Sequence, residues 1–251
     1  MSLLAGWSRQ IWLLVLLVGT LLARSGVRWL SLELRGSPSR RSRRAVRWRA
    51  FLARSGIRTT LRWLVYVGIP YVALLSGLLF PHELGLVWPS REAWRQTLPP
   101  LAGLTLLSMA MFAHAASTWG STTPPPESMA WRAPFGLFLF WPDILLVHTH
   151  WAFYRAIGLA FGAGNSAVAV GVLLVLLEWL LDPAWWRRMQ RPHLALHPLF
   201  RVQSLFIAAV GFALSGSALP ALAFHLLLEP LLFGGLFFRP PTLASRQSPN
   251  T

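Results

Sequence analysis

Histidine and carboxylate side chains occur within the apolar segments of this chain, at spacings that could bring them together. His225 and Glu229 are four residues apart, which places them on one face of a helix. A carboxylate beside an imidazole suits general-base catalysis or metal binding, because each group orients or charges the other. Ionisable groups in an apolar membrane segment are costly, and by default they mark a functional site or a buried pair. The candidates are His114, Asp143, His148, His150, Arg155, Glu178, Asp182, His225 and Glu229.

Position along each segment narrows this set. Asp143, Asp182 and His114 lie near predicted helix ends or breaks, so we interpret them as helix-end residues. At a rise of about 1.5 Å per residue, a central set lies roughly 14 to 24 Å from the predicted cytoplasmic helix ends, in the middle of a bilayer. This central set consists of His150, Glu178, His225 and Glu229, with Arg155 on the same segment as His150.

The residue types alone leave three interpretations of the central set open. The pairs could activate water as general bases. Their two nitrogens and two oxygens also suit a divalent metal such as zinc. Alternatively, the same groups form a buried polar network that only ties helices together. The chain contains no Cys, so thiolate catalysis and Cys-based metal sites are excluded.

The apolar content excludes a soluble protein. Hydrophobic residues make up 55% of the chain and charged residues 12%, and the apolar runs approach the length of about 20 residues that crosses a bilayer. These runs lack the period-two alternation of a β-barrel, so an all-α polytopic integral membrane protein is predicted. We expect about seven transmembrane helices, at residues 10–23, 62–80, 100–117, 135–161, 166–182, 202–217 and 219–238.

Two details of these segments depend on single residues. Pro142 is expected to break 135–161 into a re-entrant piece and a helix, whereas Pro99, Pro100 and Pro220 are expected at span ends. The first segment is interpreted as a retained membrane helix rather than a signal peptide, because Arg24 and residues beyond it form a stop-transfer arrangement.

Arginine provides all of the basic charge. The chain has 23 Arg and no Lys, which is typical of a GC-rich bacterial genome, and 12 of the Arg lie between Arg24 and Arg62. This Arg-rich loop is predicted to be cytoplasmic, with Trp-bearing flanks that lie as interfacial helices on anionic lipid headgroups. Nucleic acid is not an expected partner, since the Arg residues adjoin hydrophobic spans. The predicted location is the cytoplasmic (inner) membrane, with the N terminus outside and the C terminus cytoplasmic.

The last apolar segment resembles a known family. In "SGSALPALAFHLLLEP", the placement of Gly216, Ser217, Pro220 and His225 is similar to that in the CPBP family, the CAAX-protease and bacteriocin-processing (Abi) intramembrane proteases. That family has His followed four residues later by Asn or Asp, where this chain has Glu229. The resemblance covers roughly residues 100 to 238 and implies a CPBP-like helical core.

Two earlier elements match the family by position. In "HWAFYRA", His150 and Trp151 stand where the family has two Glu residues, and Arg155 stands at its Arg. In "LLVLLEW", Leu174 replaces Phe and Glu178 replaces His, so Glu and His have exchanged places. A second placement, on Glu127 and Arg132 of "ESMAWR", is better interpreted as a helix N-terminus with a favourable acidic residue.

The resemblance implies an endopeptidase that cleaves a membrane-associated peptide or protein without a cofactor. Carried over by position, Glu178 and His150 would be the water-activating pair, and His225 with Glu229 the oxyanion-side group. Arg155 would be a structural or substrate-orienting cation that pairs with a carboxylate. An ionised Glu229 would repel an oxyanion, so it must be protonated or paired with Arg155.

The organisation predicted from these observations has three parts. Residues 1–99 form N-terminal membrane helices with the Arg-rich loop, residues 100–238 form the CPBP-like core, and residues 239–251 form a polar tail. An inactive relative that serves as a scaffold or partner protein is the alternative to the enzyme.

The arginine distribution predicts the topology. Alternate spans counted from the Arg-rich loop place Arg132, Arg201 and the segment of residues 183–201 on the cytoplasmic side. We therefore expect residues 190 and 248 to share that side, because Arg-rich segments stay inside. Reporter fusions at the two positions test this expectation. Opposite locations for the two reporters would contradict it.

Overall fold

The computed structural model describes residues 8–33, 57–119, 136–162 and 164–231. Within these ranges the structure is helical and contains no strand, which confirms the all-α prediction. The helices are α1 (Arg9–Glu33), α2 (Ile57–Trp63), a π-helical segment (Leu64–Gly68), α3 (Ile69–Leu75), α4 (Arg91–Trp119), α5 (Gly136–Phe161), α6 (Gly164–Leu180), α7 (Pro183–Met189), α8 (Pro192–Ser215) and α9 (Leu219–Leu231).

Several of these helices have the length and apolarity of membrane spans. Three stretches in the described residues qualify on their own: Arg9–Gly26, Arg91–Ala115 and Leu194–Ser215. A fourth is possible if α6 and α7, which meet at a bend of 82°, form one span. These stretches indicate a membrane protein, as the composition predicted. The number of seven spans stays a prediction.

The proline expectations were partly wrong. α5 continues through Pro142 without a break, and α4 contains Pro99 and Pro100 in its interior rather than at its end. A proline in a helix interior removes one backbone hydrogen bond, and membrane helices tolerate this loss where neighbouring groups satisfy the freed carbonyl. Pro220 does lie at the beginning of a helix, as expected, since it is the second residue of α9.

The first helix extends further than the sequence predicted. α1 extends to Glu33, so the first Trp-bearing flank starts as a continuation of this helix rather than as a separate interfacial helix. Residues 34–56, which contain most of the loop, lie outside the described residues.

Contacts divide the chain into two compact units. The first comprises Met1–Leu86 with Leu146–Trp186, and the second comprises Val87–Leu145 with Arg187–Thr251. α5 contributes its beginning to the second unit and the rest of its length to the first. The sequence-based boundaries at residues 99 and 238 stay a prediction.

The second unit has its core between α4, α8 and α9. α8 packs against both other helices, and apolar side chains from all three fill the space between them. The buried members of this core are Leu101, Phe112, Leu196, Phe200, Ile207 and Leu228. α8 ends at Ser215, and the following Gly216, with a φ of 65°, supplies the left-handed turn that leads into α9.

In the first unit, α5 and α6 approach each other closely at two glycines. A Cβ at Gly171 would lie 2.6 Å from the Cα of Arg155, and a Cβ at Gly158 would lie 2.2 Å from the carbonyl oxygen of Ala167. Both neighbours are backbone atoms that cannot rotate away. Small residues allow this kind of close helix packing in membranes, so the glycines set the distance between α5 and α6.

Replacement of Gly171 by Ala should therefore destabilise the first unit. We expect the overpacked Cβ to lower the free energy of unfolding by about 1–3 kcal/mol, seen as a lower midpoint of thermal unfolding in detergent. Gly19→Ala is the matched control, because no heavy atom lies within 4 Å of the added Cβ and Ala favours a helix. Equal behaviour of the two variants would contradict the close-packing argument.

Candidate functional site

Two of the predicted site residues meet in the first unit. His150 on α5 and Glu178 on α6 are both buried, with 2% and 4% of their surfaces exposed. The Nε2 atom of His150 lies 2.5 Å from the Oε2 atom of Glu178. Tyr154, one turn after His150, donates its hydroxyl hydrogen to the same oxygen at 2.5 Å.

The protonation of this pair depends on the charge of Glu178. An ionised carboxylate only accepts hydrogen bonds. With Glu178 ionised, its contact with Nε2 would use the hydrogen on this nitrogen of His150, and Nδ1 would be the basic nitrogen of a neutral ring. A carboxylate held against one imidazole nitrogen orients the ring and stabilises the imidazolium that forms when the other nitrogen takes a proton.

Two further residues complete the His150 site, and sequence reasoning assigned neither of them. Tyr66, from the π-helical segment, stacks on the His150 ring with centroids 4.2 Å apart and planes 9° apart. Arg24, from α1, forms an ion pair with the Oε1 atom of Glu178. Its guanidinium also lies 3.3 Å from Nε2 of His150 and 5.0 Å from the centre of the Tyr66 ring.

The sequence does contain a signal for Arg24. Its place directly after the first apolar run favours a topology-determining charge. The same position also allows a second interpretation, in which Arg24 belongs to the buried face of α1. Leu13, Leu17 and Thr20 form the buried face of α1, and Arg24 continues their spacing of three and four residues. An Arg in register with a buried helix face requires a partner inside the protein.

The other two predicted residues meet in the second unit. His225 and Glu229 lie one turn apart on α9, with 2.8 Å between Nε2 and Oε2, and 3% and 0% of their surfaces are exposed. Arg201 on α8 donates to Oε1 of Glu229 at 3.2 Å and to the carboxylate of Asp143 at 2.8 Å. A guanidinium thus bridges two carboxylates beside His225.

Sequence reasoning also missed Arg201 and Asp143 as members of a cluster. Arg201 belongs by sequence to the cytoplasmic arginines, yet it lies inside α8 and is 8% exposed. The sequence predicted a helix-end residue at Asp143, which was wrong, since Asp143 lies inside α5 and its carboxylate pairs with Arg201. The sequence suggested Arg155 as the cation that pairs with a carboxylate. In the structure, Arg201 is the arginine that forms an ion pair with Glu229.

The remaining candidates have separate surroundings. Arg155 is buried and donates from Nη2 to the carbonyl of Leu84 at 2.9 Å, and its predicted pairing with a carboxylate stays a prediction. Asp182 accepts a hydrogen bond from the backbone of Ala184 at the start of α7, which agrees with a helix-end role. His148 is buried beside Trp151, and His114 is exposed.

The two pairs belong to different units, so their convergence on one cavity stays a prediction. No group of three or more His, Asp or Glu side chains that could hold a metal ion occurs in the described part of the chain. The zinc interpretation therefore gains no support there. Glu127 and Arg132, the alternative motif placement, lie outside the described residues.

Comparison with protein-family models, curated proteins and solved structures found no match to this chain. The resemblance to CPBP proteases consequently stays a prediction from the motifs.

The Arg201–Glu229 ion pair can be tested by a double-mutant cycle. Because loss of one partner leaves a buried charge uncompensated, we expect Arg201→Gln and Glu229→Gln each to lower the free energy of unfolding by about 3–5 kcal/mol. The double variant should lose less than the sum, by roughly 1–3 kcal/mol. Thermal or denaturant unfolding in detergent measures these values.

Arg95→Gln is the control for this cycle, because Arg95 is an exposed residue of the same unit. It should show no coupling to Glu229. Additive losses in the Arg201 and Glu229 variants would mean that the two side chains do not interact.

Proposed function

We propose that this chain is a membrane-embedded endopeptidase of the CAAX-protease (CPBP) type that cleaves a membrane-associated peptide or protein. The observation that supports the proposal is the contact between His150 and Glu178, 2.5 Å apart in buried surroundings. These two residues lie 28 positions apart in the chain. The resemblance to the family motifs assigned them to one water-activating pair from their positions in the sequence.

In the proposed reaction, His150 is the general base. Its ring removes a proton from a water molecule as the water oxygen attacks the peptide carbonyl carbon, and Glu178 stabilises the resulting imidazolium. The carbonyl oxygen becomes an oxyanion. The C–N bond then breaks, and the leaving nitrogen takes the proton back from His150, so that a carboxyl group and an amine are the products.

The second pair would act on the oxyanion side of the same reaction. Glu229 alone would repel the negative charge, but Arg201 contacts its carboxylate and His225 lies against its other oxygen. The guanidinium compensates the carboxylate, and the second ring nitrogen of His225 would donate to the oxyanion when the ring is protonated on both nitrogens. This part of the proposal requires the two pairs to face a common cavity.

The proposal includes the membrane setting that the sequence predicted. The chain would cross the cytoplasmic membrane seven times, with the N terminus outside and the C terminus cytoplasmic. The Arg-rich loop would rest on anionic lipid headgroups, and nucleic acid would not be a partner. The apolar spans Arg9–Gly26, Arg91–Ala115 and Leu194–Ser215 support this setting.

A second candidate function is that of an inactive scaffold or partner protein. It is favoured by the arginines, since Arg24 contacts Glu178 and Arg201 contacts Glu229. Ion pairs of this kind also hold helices together without any chemistry. A polar network that only stabilises the fold and a catalytic site have the same appearance in a structure without substrate.

Cleavage of membrane-tethered peptides by purified protein distinguishes the two candidates. For a protease, Glu178→Gln and His225→Ala should each lower the rate by about 10²-fold or more, because the general-base and oxyanion contributions are of that size. Glu92→Gln and His114→Ala are matched controls at exposed positions of α4, and both should cleave at the parent rate.

Other outcomes would remove the protease proposal. Cleavage that survives Glu178→Gln and His225→Ala would come from a contaminant or from another site. An absence of cleavage by the parent, together with lower stability of both site variants, would support the scaffold function.

A further inference from the structure

The first helix contributes a side chain to the His150–Glu178 pair. Arg24 lies 15 residues after Arg9, or about 22 Å along α1 at the helical rise per residue. Its side chain is 12% exposed. α1 precedes the region of residues 100–238 that resembles the proteases, so the family motifs give no role to it.

The two oxygens of the Glu178 carboxylate have different partners. Oε1 contacts the guanidinium of Arg24. Oε2 accepts the hydroxyl hydrogen of Tyr154 and lies against Nε2 of His150. An ion pair at one oxygen favours the rotation of the carboxylate that keeps the other oxygen directed at the imidazole.

The same guanidinium also contacts the aromatic residue that orients His150. It lies 5.0 Å from the centre of the Tyr66 ring, within the range of a cation–π interaction. Tyr66 in turn stacks on the His150 ring at 4.2 Å. Arg24 therefore touches Glu178 directly and His150 both directly and through Tyr66.

Charge gives a second reason for this arrangement. An isolated ionised carboxylate is strongly unfavourable in apolar surroundings, and a paired cation offsets most of that cost. Glu178 is 4% exposed, and it must carry a negative charge to stabilise an imidazolium. Arg24 supplies the compensating positive charge at the carboxylate itself.

We propose that Arg24 is a positioning residue of the His150–Glu178 site, which holds the Glu178 carboxylate ionised and turned towards His150, and that α1 is therefore a functional part of this site. The inference rests on the proposed endopeptidase function. It assigns no contact between Arg24 and the substrate.

The test compares Arg24→Ala, Arg24→Lys and the parent in the peptide-cleavage assay. We expect Arg24→Ala to lower kcat by about 10²-fold, the size of a general-base contribution, with little change in KM. Arg24→Lys should retain more activity, because it keeps the charge but not the planar fork of the guanidinium. Added guanidinium ion at millimolar concentration should partly restore kcat in Arg24→Ala and leave Glu178→Gln inactive.

Arg9→Ala is the matched control, because Arg9 lies on the same helix and forms an ion pair with Glu83 away from His150. It should cleave at close to the parent rate and should not respond to guanidinium. Thermal unfolding of every variant, measured in the same detergent, identifies losses of rate that reflect only a smaller folded fraction.

Each remaining outcome has a separate meaning. A cleaving parent with Arg24→Ala at the parent rate overturns this inference and leaves the proposed function intact. Loss of activity in Arg24→Ala and Arg24→Lys that follows loss of folded protein, without rescue by guanidinium, also overturns it. A parent that does not cleave overturns the proposed function and this inference with it.

Discussion

A carboxylate buried in apolar surroundings needs a cation beside it, and much of this structure depends on that requirement. Within the described ranges, three buried carboxylates have an arginine partner on a different helix or loop. The pairs are Glu83 with Arg9, Glu178 with Arg24, and Glu229 with Arg201.

The chain uses no lysine, and the choice of arginine has a physical advantage, because one guanidinium can engage two groups at once. Arg201 bridges two carboxylates in this way, and Arg24 contacts a carboxylate, an imidazole and a phenol ring.

The two His–Glu–Arg clusters are built differently although their residue types are the same. His225 and Glu229 share one helix, so their contact follows from helix geometry alone. His150 and Glu178 lie on separate helices, and their contact requires the close approach of α5 and α6 at Gly158 and Gly171. The His150–Glu178 contact therefore depends on tertiary packing, whereas the spacing of the His225–Glu229 contact is local to α9.

The sequence predicted the helical class and both His–Glu pairs, but it did not reveal their cations. Apolar runs and four-residue spacing are local signals, so α9 and its His–Glu face could be derived from composition and helix periodicity. The roles of Arg24 and Arg201 depend on contacts across long stretches of chain, and from local sequence both residues look like topology signals. The predicted break of α5 at Pro142 was wrong, because α5 continues through this residue and a local proline rule does not include the surroundings in which membrane helices tolerate proline. The seven spans and the convergence of the two pairs depend on how distant segments assemble, which local patterns do not encode.

The π-helical segment Leu64–Gly68 has a consequence for how this chain can change during evolution. A π-helical turn contains one residue more than an α-helical turn, and such turns occur frequently at functional sites. Deletion of one residue there would restore α-helical hydrogen bonding and leave the flanking helical segments in the same relative rotation, because the widened turn absorbs the extra residue. Tyr66 lies inside the widened turn, so its present position for stacking on His150 would be lost. Related chains that differ by one residue in the length of this segment would therefore differ in the aromatic contact, even if every other residue of the cluster were unchanged.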